Sequence, residues 1–247
     1  MKKIIVFDLH GTLTEGKQRI DGELTCLMNS LLDGYNMGIT SGFPMSQLDI
    51  QVASVLEQDL MEHVCLLPLM GAEMYLWDDK WLKICDDRLS KAEKRRVLTA
   101  FDCVRQLNGD TVYGETIDDR GSQITYAVLG LDAPLELKMG WDKDGSKRSL
   151  IKEKLLSILP DFEITVGGHT SISVTHKGVN KTMAIDRICD FLDYENTDIL
   201  YFGDAFHENG DDYCVKDLGI DCVEVSSPEE TKKAIRTLLE KGKLCNI

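Results

Sequence analysis

The stretch Ile4–Thr14, with the sequence IIVFDLHGTLT, joins an apolar run to a carboxylate and then to a glycine-containing turn. The apolar run Lys3–Phe7 predicts the first strand of a sheet that is covered on both faces. Asp8 follows it directly, at the carboxyl end of the strand. Because open parallel sheets bind their ligands beyond that end of the strands, Asp8 is a candidate catalytic residue.

Four further apolar runs predict buried strands that alternate with helical segments. Residues 20–31 and 183–192 carry apolar side chains spaced three or four apart, and Ser227–Glu230 provides an N-cap, a proline and an acidic first turn for a last helix. This alternation predicts an α/β fold with a mainly parallel sheet and helices on both faces. The four runs are Met37–Thr40, Val64–Leu69, Ile199–Phe202 and Ile220–Val225.

The middle of the chain, from about Leu82 to Thr175, has a different pattern. Its helical stretches are separated by segments in which apolar and polar residues alternate, which predicts a distinct α+β unit inserted into the parallel-sheet domain. The helical stretches are Ser90–Leu107 and Gly145–Leu159, and the alternating segments are Gln123–Leu129 and Ser171–Thr175.

Composition narrows the classes of partner. The 247 residues carry a net charge of −14, which disfavours binding to nucleic acid or to an anionic membrane, and no apolar run is long enough to span a bilayer. Eight cysteines without a Cys-x-x-Cys pair argue against a zinc site and a disulfide framework. The start of the chain is too short for a signal peptide, so we expect a cytoplasmic protein whose partner is a small metabolite.

Carboxylates also follow a second predicted strand. Asp204 ends the run that begins at Ile199, and Asp211 and Asp212 lie in the next turn. Carboxylates that converge at one edge of a sheet repel one another, and a bound cation relieves the repulsion. Ligands that are all oxygen favour magnesium, Mg²⁺.

Two other positions complete a set for phosphoryl transfer. Ser41 and Gly42 follow the strand that ends at Thr40, and they offer a hydroxyl group and a backbone amide. Lys181 opens the helix after Gly178 and supplies a fixed positive charge. A nucleophilic carboxylate, a metal ion, a hydroxyl group and a lysine are the groups that an aspartyl-phosphate mechanism requires.

In this order and strand context the motifs resemble those of the haloacid dehalogenase superfamily. The insertion between the second and third motifs resembles the type IIB cap of its phosphomannomutase and sugar-phosphatase branch, and residues 203–212 resemble the glycine-containing metal loop of phosphomannomutases. The resemblance implies a Rossmann-like core at 1–81 and 178–247, with a cap domain at 82–177. The four motifs are Asp8-x-His10-Gly11-Thr12-Leu13-Thr14, Ser41-Gly42, Lys181 and Gly203-Asp204 with Asp211-Asp212.

The same resemblance implies a role for each matching position. Asp8 would be the nucleophile and a metal ligand, and His10 would bind Mg²⁺ through its backbone carbonyl. Asp204 would be the second carboxylate ligand, with Asp211 and Asp212 supporting the metal shell. Alternatively, either Asp211 or Asp212 simply caps the following helix.

The remaining family positions would contact the substrate. Ser41, with Gly42, would bind the transferring phosphoryl group, and Lys181 would hold Asp8 and a phosphate oxygen. In the cap, Arg120 and Ser171 would contact the sugar or a distal phosphate, although an ordinary surface role is equally open for Arg120.

Three positions depart from the family pattern. His10 stands where the family usually has a second Asp, which protonates the leaving oxygen and later deprotonates water. An imidazole titrates near neutral pH and can do both, but a neutral spacer is the alternative. Ser173 replaces a sugar-binding Asp of phosphomannomutases, and Leu131 replaces a phosphate-binding Arg. These changes weaken a mutase assignment more than a phosphatase assignment.

Three hypotheses follow. The first is an Mg²⁺-dependent phosphatase for a small phosphorylated metabolite, most simply a sugar phosphate, whose cap closes over the site. The second is a phosphomannomutase-like phosphomutase. The third is a catalytically weak member that binds a phosphorylated ligand, because His10 replaces the usual Asp. Both a monomer and a homodimer are compatible with the sequence.

Overall fold

The computed structural model of the chain describes residues 2–105, 111–208 and 210–244. Leu107, at the end of a predicted helix, and Asn209 and Cys245 lie outside the described residues. None of the helices in the described ranges is both long enough and apolar enough to cross a membrane.

Strands and helices alternate through most of the chain. The strands are β1 (Ile4–Asp8), β2 (Asn36–Thr40), β3 (Val64–Leu67), β4 (Glu73–Trp77), β5 (Trp81–Asp86), β6 (Ile117–Asp119), β7 (Ile124–Ala127), β8 (Phe162–Gly167), β9 (Ser171–His176), β10 (Ile199–Gly203) and β11 (Asp221–Glu224). The helices are α1 (Gly22–Leu32), α2 (Met45–Gln51), α3 (Lys91–Arg105), α4 (Leu135–Trp141), α5 (Ser146–Ile158), α6 (Lys181–Leu192), α7 (Tyr213–Lys216) and α8 (Pro228–Leu244).

The contacts divide the chain into two compact units. One comprises Met1–Asp86 and Asn180–Ile247, and the other comprises Asp87–Val179. The hairpin of β4 and β5 pairs onto β3 and therefore belongs to the first unit. The sequence pattern did not identify this hairpin, because no residue of β5 is buried and the strand lacks an apolar run.

The first unit is built on a seven-stranded sheet with the order β11-β10-β1-β2-β3-β4-β5. The five strands from β11 to β3 are parallel, and the hairpin adds two antiparallel strands. All five predicted strands of this sheet are present, with ends that differ by one or two residues. The predicted α/β fold with a mainly parallel sheet is confirmed.

Both faces of the central strand β1 are buried, as its uninterrupted apolar sequence predicts. Ile5 and Phe7 lie in one core cluster with residues of α1 and α8. Ile4 and Val6 point to the opposite face and lie in a second cluster with residues of α6. This two-sided packing holds β1 rigidly and so fixes the position of the residue at its end.

The register of the parallel strands brings three strand ends together. Asp8 pairs with Thr40 of β2, and Phe7 pairs with Phe202 of β10. The residues that follow β1, β2 and β10 therefore emerge next to one another at the same edge of the sheet.

The second unit has its own antiparallel sheet, with the order β6-β7-β9-β8. Its core is formed by side chains of α3, α5 and the sheet, including Phe101, Tyr126, Leu155 and Ile172. The helical and alternating segments predicted here correspond to α3, α5, β7 and β9. Helix α4 was not predicted; it has no buried side chain and so lacks the apolar periodicity that identifies a helix.

We predict that the second unit loses stability as His176 deprotonates. Its Nδ1 lies 3.0 Å from Oδ1 of Asp87, and its Nε2 lies 3.2 Å from Oε1 of Glu93. Burial lowers the pKa of His176, but the two carboxylates raise it by more than burial lowers it. The net pKa therefore lies above the ordinary value of 6.5. The ion pairs therefore stabilise the fold fully below pH 6.5, and this stabilisation is lost as pH rises through the folded-state pKa.

An NMR titration of His176 measures this shift directly. Replacing Asp87 with Asn should move the pKa of His176 downward by removing one of the two carboxylates. A pKa at or below 6.5 in the unmodified protein would contradict the prediction.

Candidate active site

Asp8 and Lys181 form a buried ion pair at the edge of the sheet. The Lys181 Nζ donates to Oδ1 of Asp8 at 2.8 Å, and both residues are at most 5% exposed. Lys181 is the first residue of α6, where Asn180 caps the helix by accepting a hydrogen bond from Thr182 N. The cap fixes the start of the helix and with it the origin of the lysine side chain.

Lys181 also contacts the acidic turn after β10. Its Nζ donates to Oδ1 of Asp211 at 3.0 Å and to Oδ1 of Asp212 at 2.6 Å. Burial alone lowers the pKa of Lys181, but Asp8 and the other acidic neighbours raise it well above 10.5. The side chain is therefore a permanent positive charge.

Asp212 organises the loop after β10. Its Oδ1 accepts hydrogen bonds from Lys181 and from the Tyr201 hydroxyl, the latter at 2.6 Å. Its Oδ2 accepts from the backbone N–H groups of Asp204, at 3.2 Å, and Ala205, at 2.9 Å. Asp212 thus anchors the backbone that carries Asp204.

Tyr201 was missed in the sequence because it lies within the apolar run of β10. Its phenol is fully buried, and a buried tyrosine hydroxyl needs a hydrogen-bond partner, which Asp212 provides. A tyrosine three residues before a strand-end aspartate was the available signal.

Three carboxylates converge in a geometry that fits a divalent cation. Asp8, Asp204 and Asp212 each offer an oxygen, and these atoms lie within 4.8 Å of one another. Two unit charges at this separation repel by about 3 kcal/mol at an effective dielectric constant of 20. An all-oxygen donor set suits Mg²⁺. Asp211 is exposed, contacts Lys181 and is not a member of this three-carboxylate cluster of described residues.

Burial and the neighbouring carboxylates also raise the pKa values of Asp8 and Asp204. Burial raises the pKa of Asp8 to about 8, opposed by Lys181 and reinforced by Asp212 and Asp211. Burial and then Asp212 raise the pKa of Asp204. A cation bound among these oxygens would favour their ionised forms.

The turn after Asp8 brings a glycine against Asp204. Gly11 has a φ of +88°, and its N–H donates to Thr14 O at 2.8 Å. A Cβ at position 11 would lie 2.1 Å from Oδ2 of Asp204. Glycine is therefore required here both by the backbone conformation and by the close approach of the carboxylate.

His10 and Ser41 lie together beside this turn. The His10 Nδ1 is 3.5 Å from Ser41 Oγ, which also accepts a hydrogen bond from Phe43 N at 3.3 Å. The Phe43 ring packs against the imidazole with a centroid distance of 4.5 Å. Burial lowers the pKa of His10; Gln51 opposes this shift and Lys181 adds to it, so the neutral ring predominates at neutral pH.

The other predicted substrate contacts lie in the second unit or carry no side chain. Arg120 donates to Asp118 Oδ2 at 2.7 Å and to Gln123 Oε1 at 3.0 Å. Ser171 is the first residue of β9. Gly42 follows Ser41 at the end of β2. The structure thus brings Asp8, His10, Ser41, Gly42, Lys181, Asp204, Asp211 and Asp212 to the edge of the first unit's sheet, and it leaves the substrate roles of Arg120 and Ser171 as predictions.

The sequence is similar to a family of hydrolases and to phosphomannomutases. A sequence model of haloacid dehalogenase-like hydrolases matches residues 135–207. A phosphomannomutase of Spinacia oleracea is 24% identical over 244 residues, which cover 93% of each chain.

Solved structures share the fold at lower identity. A haloacid dehalogenase-like hydrolase from Bacteroides thetaiotaomicron matches with a TM-score of 0.67 and 15% identity, covering 96% of this chain and 100% of that chain. An IMP-bound IMP-nucleotidase of Plasmodium falciparum matches with a TM-score of 0.71 and 13% identity, covering 97% of this chain and 68% of that chain.

We predict that Gly11→Ala weakens Mg²⁺ binding by about 10- to 100-fold, as for other changes next to metal ligands. The added methyl group collides with Asp204 and displaces it from the carboxylate cluster. Gly16→Ala is the matched control, because Gly16 lies in the same loop with a φ of +66° and has nothing within 4 Å of its Cβ position. Titration calorimetry measures the affinity; equal losses in the two variants would refute the role of the collision.

The buried lysine–aspartate pair, the strand-end carboxylates and these relatives lead to the same assignment. Together they support the haloacid dehalogenase superfamily, in its phosphomannomutase-like and sugar-phosphatase-like branch, and an enzyme of the phosphatase and phosphomutase type.

Proposed function

We propose that the chain is an Mg²⁺-dependent phosphatase that hydrolyses a small phosphorylated metabolite, a sugar phosphate, through an aspartyl-phosphate on Asp8. The observation that carries the proposal is the buried contact of 2.8 Å between Asp8 and Lys181 within a group of converging carboxylates. A carboxylate held in this way is preorganised for attack on a phosphoryl group.

In the first step Asp8 attacks phosphorus and the leaving alcohol departs. Lys181 holds Oδ1 of Asp8, so we assign Oδ2 as the attacking oxygen. The hydroxyl of Ser41 and the backbone amide of Gly42 bind the phosphoryl oxygens, and Lys181 lies close enough to neutralise part of their charge. Bound Mg²⁺, held by the carboxylates of Asp8 and Asp204, would add Lewis-acid stabilisation of the phosphoryl oxygens.

In the second step water attacks phosphorus, and the bond between phosphorus and Asp8 breaks. His10 is the candidate proton acceptor, because its Nδ1 faces Ser41, which we assign to the phosphoryl site. A neutral imidazole accepts a proton from water and later releases it to the product or to solvent. Protonation of the leaving alcohol in the first step then depends on His10 or on a water molecule that it orients.

Substrate selection is assigned to the second unit. Arg120 and Ser171 are the proposed contacts to the sugar or to a distal phosphate. Nucleotide monophosphates belong in the same screen, because one fold relative is an IMP-nucleotidase. We propose a cytoplasmic setting, which fits the seven described cysteines, all of them free thiols.

A phosphomutase is the second candidate, and the similarity to phosphomannomutases over nearly the whole chain favours it. It requires additional groups that hold a sugar bisphosphate in two orientations. Ser173, at a position where phosphomannomutases carry an Asp, has its hydroxyl 2.8 Å from the hydroxyl of Thr125. Leu131, at a position where they carry an Arg, supplies no charge. These two residues favour hydrolysis over transfer.

We predict that Asp8→Asn lowers the rate of phosphate release on the order of 10⁴-fold, as expected for loss of a nucleophile. The assay is a phosphate-release screen over sugar and nucleotide monophosphates with Mg²⁺, and chelation with EDTA should abolish release. Asp33→Asn, on the exposed C-cap of α1, is the matched control and should retain full activity. Activity that survives Asp8→Asn would refute the mechanism.

The wild-type level of turnover separates the third hypothesis from the first. Turnover barely above the Asp8→Asn background, restored by His10→Asp, would identify a ligand-binding member of the superfamily. Turnover that depends on Asp8 and does not rise in His10→Asp supports the phosphatase.

Incubation with a hexose 1-phosphate distinguishes the two enzymes. We predict inorganic phosphate as the product, because the chain lacks the Asp and Arg expected of a mutase at positions 173 and 131. Phosphorus NMR follows both products in one sample. Accumulation of the hexose 6-phosphate without phosphate release would establish the mutase instead.

A further inference from the structure

Of the five buried polar side-chain atoms that lack a hydrogen-bond partner in the described part of the chain, two have complementary chemistry. They are Nε2 of His10 and Oε1 of Gln51. A buried polar atom without a partner carries a free-energy cost. The two atoms are complementary, since a ring nitrogen can donate a hydrogen bond and an amide oxygen can only accept one.

The orientation of the Gln51 amide follows from its other contacts. Its Nε2 donates to Gly16 O at 2.9 Å and to Gln18 O at 2.6 Å. Only the NH₂ end of the amide can make these two bonds, so the end with no partner is the oxygen. Gln51 is fully buried at the end of α2, and its backbone carbonyl accepts from Ile20 N at 2.9 Å.

The orientation of the His10 ring is restricted in the same way. Phe43 covers the ring, and Nδ1 faces Ser41 Oγ. Nε2 is therefore on the side of the ring away from Ser41. Burial lowers the pKa of His10 most strongly, whereas interactions of the ring with the Gln51 side chain and the Gly16 backbone raise it, as acceptors near a ring N–H do.

We propose that Gln51 is a positioning residue that holds His10 in the tautomer with its hydrogen on Nε2. Nε2–H then donates toward Gln51 Oε1, and the lone pair of Nδ1 faces Ser41. In a neutral histidine, the hydrogen-bond partners of the two ring nitrogens determine which nitrogen carries the hydrogen.

The catalytic consequence rests on the proposed function. In hydrolysis of the aspartyl-phosphate, the oxygen of water bonds to phosphorus and the bond from phosphorus to Asp8 breaks, so that the Asp8 carboxylate is restored. One proton of that water passes to Nδ1 of His10. In the opposite tautomer, Nδ1 carries a hydrogen and cannot accept this proton. Gln51 thereby makes His10 competent as a base on the side where the phosphoryl group would bind.

The decisive measurement is the tautomer of His10 in the unmodified protein. Long-range proton–nitrogen NMR of the protein labelled with ¹⁵N-histidine distinguishes the two tautomers at a pH where the ring is neutral, and His10→Asn assigns the signals. We expect the hydrogen on Nε2. A hydrogen on Nδ1 overturns the proposal, whether or not any variant of Gln51 folds.

Two substitutions separate positioning of His10 from anchoring of the loop. Gln51→Glu and Gln51→Met both lose the donors to Gly16 and Gln18, but only Glu keeps an acceptor for Nε2–H. We expect Gln51→Glu to retain the tautomer, and we expect Gln51→Met to show mixed tautomers and a kcat lower by about 10²-fold with little change in KM. Gln47→Met, on the same helix, is the control and should change neither quantity.

The outcomes distinguish this inference from the proposed function. If Gln51→Glu and Gln51→Met lose activity equally while the tautomer of His10 stays unchanged, Gln51 is only a loop anchor and the proposal fails. If the unmodified protein shows the expected tautomer but releases no phosphate, the positioning role stands and the proposed function fails.

Discussion

The buried ammonium of Lys181 is the interaction on which the site depends. It lies between Asp8, at the end of β1, and Asp212, in the turn after β10, and joins two parts of the chain that are far apart in sequence. Without it these buried carboxylates would lack their positive partner, which costs about 3–5 kcal/mol when a buried pair is broken. The parallel sheet and the cap of α6 hold the three groups in place.

Asp212 extends this interaction to Asp204, a carboxylate that we propose binds the metal ion. Each of its oxygens accepts two hydrogen bonds, and two of the four donors are backbone N–H groups at positions 204 and 205. Rigid backbone donors position Asp204, and Gly11 leaves room for its carboxylate. Because protein donors hold the carboxylates of Asp8 and Asp212 in place, the fold keeps these acidic groups close to Asp204, and a cation bound among them would relieve their mutual repulsion.

His10 shows how one substitution within a family motif is accommodated. A carboxylate and an imidazole differ in size, charge and direction of hydrogen bonding. Phe43 packs against the ring and the Gln51 side chain interacts with it, so the surroundings of His10 are both aromatic and polar. Burial in these surroundings disfavours a charged ring, which suits a position next to the proposed cation site.

The sequence by itself determined the α/β class, the five parallel strands of the first sheet, the helices α1, α3, α5, α6 and α8, and the family of motifs around Asp8. These features have short-range signals, such as apolar runs, helical spacing, caps and strand-end carboxylates. The sequence did not reveal the hairpin of β4 and β5 or helix α4, because β5 and α4 have no buried residue and so lack such signals.

Only the tertiary structure decided which groups meet and in what state. Tyr201 and Gln51 look like ordinary residues of a strand and a helix, and their roles appear only once β10 and α2 pack beside the loops that follow β1. The raised pKa of Asp8 and the lowered pKa of His10 arise from burial among partners distant in sequence. Hydrogen-bond partners and desolvation depend on long-range packing, and for that reason local sequence patterns do not contain them.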